Sequence, residues 1–155
     1  MTYRITGIDP APYRHLYGLS DEDLASRGIV RITVTEKPSF PCRVSLTDRE
    51  IGETVLLLNH LSHDVANPYR ASHAIFVTEG ADLPAEYIDE APPVFGPRVL
   101  SLRGFDKDGM MSDAALAQPG EADATIRKLF ENPAIETIHA HNATRGCFAA
   151  KIERD

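Results

Sequence analysis

Apolar and polar residues alternate along much of this chain, and the alternating stretches cluster instead of trading places with helices. That pattern predicts strands, paired mainly antiparallel. Residues 3–8 read as a first strand, stopped by Pro10 and Pro12. Residues 29–35 are β-branched and put Ile32 and Val34 on one face. Residues 40–46 alternate again, with Phe40, Cys42, Val44 and Leu46 on one side and Arg43 and Ser45 on the other. Residues 54–59 form a nearly unbroken apolar run, short enough for a buried central strand. Further strands are expected at 74–78, 98–105, 135–141 and 147–154, with 110–112 starting a return strand. Asp106-Lys107-Asp108-Gly109 resembles a calcium loop but lacks the closing bidentate Glu, so it reads as a tight hairpin turn.

Two helices stand out. Ser20 is a good N-cap, Asp21 to Asp23 suit the positive end of the dipole, Leu19 can staple onto Leu24, and Gly28 ends the segment. Residues 121–132 carry the apolar stripe Ala122, Ile126, Leu129 and Phe130, and Pro133 stops them. Residues 60–72 read as a polar loop. Residues 80–97 hold four of the eleven prolines and are expected to be a lid or an arm. The expected fold is α+β, a single domain over residues 1–155. It has two helices and about seven or eight mainly antiparallel strands, curling toward a partial barrel.

At 155 residues the chain buries a sufficient core without metal or disulfide support. Acids outnumber Lys plus Arg by 23 to 16, and no basic run occurs, which argues against nucleic acid and against an anionic membrane surface. No apolar run reaches the ~18 residues that span a bilayer. The first residues show no secretory signal, so a cytoplasmic location is expected, with Cys42 and Cys147 as free thiols. The motifs of NTPases, dinucleotide enzymes, zincins and α/β-hydrolases are absent.

The chemistry-bearing residues are few. His139 and His141 share one strand face near a turn. If His141 pairs with Cys147 across the last hairpin, imidazole and thiol become neighbours, a general base beside a nucleophile. A one-residue slip removes that pairing. The bland alternative is two half-exposed strand histidines and a small buried cysteine. Arg43 offers a fork for a carboxylate or phosphate, against a surface salt bridge as the ordinary alternative. Tyr69, Arg70 and His73 follow a polar loop where a cleft mouth would lie.

The segments FPCRVSL at 40–46, ETVLLLNH at 53–60, PYRASHAIFV at 68–77, DGMM at 108–111 and IHAHNATRGCFAAKI at 138–152 together resemble a bacterial family, domain of unknown function 1203. The resemblance covers essentially the whole chain. It implies no activity, and it implies only that Arg43, Tyr69, Arg70, His141, Asn142 and Cys147 lie in the family's characteristic segments. His73 departs from the small residue the resemblance leads one to expect.

Three functional readings follow. The first is a pocket for a small anionic metabolite lined by Arg43, Tyr69, Arg70, His139 and Asn142, with His141 and Cys147 as the catalytic candidates; no cofactor is assigned. The second is a non-enzymatic partner-binding or homodimeric module using Val94, Phe95 and Tyr87. The third is a metal site on His139 and His141.

Overall fold

The computed structural model describes all 155 residues. Its strands fall into two separate sheets. The larger has six strands in the order β5-β1-β9-β8-β6-β7: β1 Tyr3–Thr6, β5 Glu86–Ile88, β6 Leu100–Phe105, β7 Met111–Ala117, β8 Thr137–Asn142 and β9 Phe148–Arg154. The smaller has three, β2 Val30–Thr33, β3 Thr54–His63 and β4 Ala71–Thr78. Every ladder pairs antiparallel. The α+β expectation holds, but the sheets do not close into a barrel, and there are three helices instead of two. They are α1 Asp21–Ser26, α2 Ala122–Phe130 and a 3-10 helix at Ala11–Leu16; a further short 3-10 turn forms at Pro93–Phe95.

Local chemistry explains the elements that were anticipated. The Ser20 hydroxyl accepts from the Asp23 N–H at 3.0 Å, and Gly28 follows the helix with φ +74°. All four stripe residues of α2 are buried in the larger core. The Asp106 carboxylate accepts from the Asp108 and Met110 N–H groups, which closes the β6–β7 turn.

Residues 40–46 depart from expectation. They form no strand, only two isolated bridges, Pro41 with Asp48 and Cys42 with Phe76. The alternation arises because the segment threads between two cores. Cys42 and Val44 enter the smaller core with Leu56, Leu58, Ile75 and Val77, while Leu46 enters the larger one. Leu46 has a positive φ of 55°, and its N–H returns to the Cys42 carbonyl, so the segment is a tight turn. The other correction concerns residues 80–97. They supply edge strand β5 and bury Val94 and Phe95 at 4% and 2% exposure, with Tyr87 packed against the same core. Val94, Phe95 and Tyr87 therefore do not form an exposed apolar patch.

Gly7 joins the layers. Its N–H donates to Ala85, and a Cβ there would lie 2.0 Å from the Val44 carbonyl oxygen and 3.0 Å from that of Arg43. Both are backbone atoms that cannot swing away. Gly7→Ala is expected to destabilise the protein by about 1–3 kcal/mol through overpacking, measured as a lower urea midpoint by circular dichroism; an unchanged midpoint would refute this close approach.

Candidate functional site

The sheets meet along a seam of aromatic and imidazole rings. β3 runs on to His63, so His60 and His63 stand on a strand where a polar loop was expected, and β4, beginning at Ala71, carries His73. His60 and His73 are direct cross-strand partners. They lie on the core face of the smaller sheet, two residues beyond Leu58 and Ile75. On the larger sheet, His139 and His141 share a face of β8 and are 5% and 3% exposed. Ring centres lie 5.0 Å apart for His63 and His139 and 4.8 Å apart for His73 and His141. The Phe148 ring touches His60, His139 and His141.

Five of the six histidines therefore pack between the sheets. Several have their tautomer fixed by a partner. His141 Nδ1 donates to the Gly146 carbonyl and His63 Nε2 to that of Gly109, each at 2.9 Å. The Ser62 hydroxyl donates to the Ala71 carbonyl and accepts from His73 Nδ1. His60 Nδ1 and the Tyr13 hydroxyl share a hydrogen bond of 2.6 Å. Burial, reinforced by neighbouring His63, His141, Lys151 and Arg103, pushes His139 down to about 3. Burial also pushes His141 down to about 4, with Arg103, His73 and Arg43 adding to it against the Gly146 carbonyl. His60 and His73 are lowered by burial as well. These shifts favour the neutral form of His60, His73, His139 and His141 at pH 7. No group of three His, Cys, Asp or Glu side chains is arranged to hold a metal ion.

The last hairpin has the slipped register. A bulge after Ala140 sets His141 opposite Phe148, and Cys147 falls in the turn, its carbonyl accepting from the Asn142 N–H. The expected cross-strand pairing of His141 with Cys147 is thus replaced. The Cys147 sulfur instead lies 3.3 Å from an Arg43 terminal nitrogen and 3.7 Å from Asn142 Nδ2.

Arg43 does face away from Cys42, but into the protein instead of solvent. It is 2% exposed. Its Nε donates to the Phe148 carbonyl at 2.8 Å, and Nη1 donates to the Pro41 carbonyl at 2.6 Å. No carboxylate pairs with it. Burial lowers its pKa from the usual guanidinium range, opposed by the neighbouring Cys147 sulfur. A guanidinium carries five N–H donors; the Phe148, Pro41 and Cys147 contacts use three, leaving two without a protein partner.

Beside these groups lies a cavity of about 870 Å³. Its wall comes from the segment after β2, one face of β4, the approach to β6 and the β8–β9 turn. Arg43, Asn142 and Cys147 line it, and so do His73, Arg98 and Arg145. Arg98 is spoken for by Asp48, at 2.6 and 2.8 Å. Arg145 is exposed and makes no ion pair, and Glu36 is the single acid of the wall. The Asn142 Oδ1 atom is buried without a partner.

The anticipated pocket therefore divides. Arg43, Asn142 and Cys147 come together. His139 lines a second hollow of about 420 Å³ with His63, Asp106 and Lys151. Tyr69 packs on Phe105, and Arg70 pairs with Asp64, so both lie away from the first cavity. Arg145, in the turn beside Cys147, went unread because a lone exposed Arg carries no pattern.

The family model described as "Protein of unknown function (DUF1203)" matches residues 39–154. The chain belongs to this family. Every residue of the cavity wall except Glu36 falls within the DUF1203 match. No curated protein and no solved structure matches the chain. No helix is long and apolar enough to cross a membrane.

The seam makes a prediction about acid. His139 and His141 have folded pKa values below the unfolded ~6.5, so below that pH the unfolded chain binds protons that the folded chain refuses. Their stabilising contribution is complete above pH ~6.5 and falls as pH drops toward the folded values near 4 and 3. Glu79, held by Arg31 at about 2 against a usual 4.5, adds its own loss only below pH 4.5. The urea midpoint is expected to fall between pH 6.5 and 4.5, and His139→Phe to flatten that fall, because Phe packs against the same rings and takes no proton. Equal slopes for the two proteins would refute the assignment.

Proposed function

We propose that this DUF1203 protein binds a small anion, a carboxylate or phosphate group, in the cavity over Arg43, with Arg145 at the rim and Asn142 and Cys147 in the wall. The observation that carries the reading is a buried guanidinium with two unused donors and no carboxylate partner. A buried cation without a counter-charge is costly. An anion delivered to the cavity meets that charge and takes up the free donors as a planar fork. Arg145 adds long-range attraction, and neutral His73 adds a polar but uncharged wall.

The proposal is for binding. His141 spends Nδ1 on Gly146 and faces Phe148 across the ladder, so no base is hydrogen-bonded to the Cys147 sulfur. Cys147 serves as a reporter instead, being half-buried in the cavity wall while Cys42 is fully buried.

Calorimetric titration with inorganic phosphate and with acetate tests the reading. Saturable binding is expected, weakened about two- to fivefold by Arg145→Ala, in keeping with an exposed charge. Arg43→Lys keeps the charge but loses the fork, and a loss of at least about tenfold is expected, with circular dichroism checking that the variant folds. Absence of binding by both anions to the wild-type chain would overturn the proposal.

Iodoacetamide gives an independent readout. One thiol is expected to react in the folded protein and two after denaturation, and phosphate should slow the first. Labelling unaffected by saturating phosphate would remove Cys147 from the site.

A further inference from the structure

We infer that the anionic group is the head of an amphipathic ligand whose body is apolar. This deepens the anion-binding reading and rests on it. The cavity, at about 870 Å³, lies in the size range of sites for whole organic metabolites, roughly 300–1,000 Å³. An inorganic anion fills a small part of it.

The rest of the wall has a definite chemistry. Leu57 and Phe76 are directly opposed on β3 and β4, and the Phe40 ring packs on Phe76 with centres 5.2 Å apart. Val99 adds a fourth apolar side chain. All four are half-buried, and none belongs to either of the two buried cores. Their position follows from the strand period. Ile75 and Val77 point into the smaller core, which turns Ala74 and Phe76 to the opposite face, toward the cavity. The protein leaves this apolar surface partly uncovered beside a buried cation with free donors. A polar body would waste it. Deep in the wall a second anionic group is poorly served, since Arg98 is already neutralised by Asp48, and at the rim exposed Arg145 is offset by Glu36. One charged head and one apolar body fit the whole wall.

The test compares matched pairs on the intact chain by calorimetry: acetate with phenylacetate, and phosphate with phenyl phosphate, with benzyl alcohol as the uncharged control. The phenyl-bearing member of each pair is expected to bind at least about tenfold tighter, the effect of burying one ring. Phe40→Ala should shrink that ratio, and so should Leu57→Ala, a second variant in case one perturbs the fold. Equal affinity within each pair would overturn this inference while leaving the anion reading intact. Binding of benzyl alcohol as tight as that of phenylacetate would overturn the anion reading, because the charge would then contribute nothing. Failure of all five compounds to bind would end both.

Discussion

The guanidinium of Arg43 is the fixed point of this molecule. It lies between two stretches of chain with few other reasons to meet. One is the turn 41–46, which has almost no ladder of its own. The other is the start of β9, reached through the Phe148 carbonyl. These hydrogen bonds are charge-assisted and shielded from water, so each is worth more than a neutral surface bond. They cost the protein the desolvation of a cation, and no carboxylate offsets that cost. A chain selected for stability alone would be better served by an apolar residue or by an Asp within reach. The geometry is economical only if the missing counter-charge arrives from outside.

Much of the fold was legible, and the misreadings have physical causes. The α2 stripe and the Asp106–Gly109 turn were read because each rests on neighbours within a few residues. Residues 40–46 were misread because period two was taken to mean a strand. Here it reports a segment lying between two cores, with Cys42 and Val44 in the smaller and Leu46 in the larger. Pro41 has no N–H and Leu46 has a left-handed φ, and both argue against a ladder. β5 was missed because its three residues sit among prolines and pair only with the distant β1. No local pattern announces such an edge.

The site was legible in part, for a reason specific to the last hairpin. Arg43, Asn142 and Cys147 were singled out together, and they do share one cavity. The partner assigned to the cysteine was wrong by one position. The regular ladder through Ala140 would set Ala149 opposite His141; the bulge after Ala140 sets Phe148 there instead, one residue short of Cys147. Register of this kind depends on the turn and on what the opposite sheet offers. The opposite sheet was itself hidden, since residues 60–72 looked like a loop. Polar side chains there were taken for solvent contact, whereas the imidazoles are packed against other imidazoles.

That packing clarifies why the seam and the cavity should be kept apart in function. A neutral imidazole is a flat ring with one donor and one acceptor, and four of the five seam rings hold one ring nitrogen against a carbonyl or hydroxyl. His139 alone makes no hydrogen bond, and its ring packs on those of Phe105 and Phe148. Charge on His139 or His141 would face Arg103, Lys151 and Arg43, all of one sign, while the acids Asp64, Asp106, Asp108 and Glu136 line the outer hollow. The seam therefore favours neutrality at the same place where Arg43 enforces a positive charge a few residues away. Each condition supports the other. Protonated histidines there would repel the guanidinium; a neutral seam adds no such repulsion and leaves the buried, unpaired Arg43 charge facing the cavity.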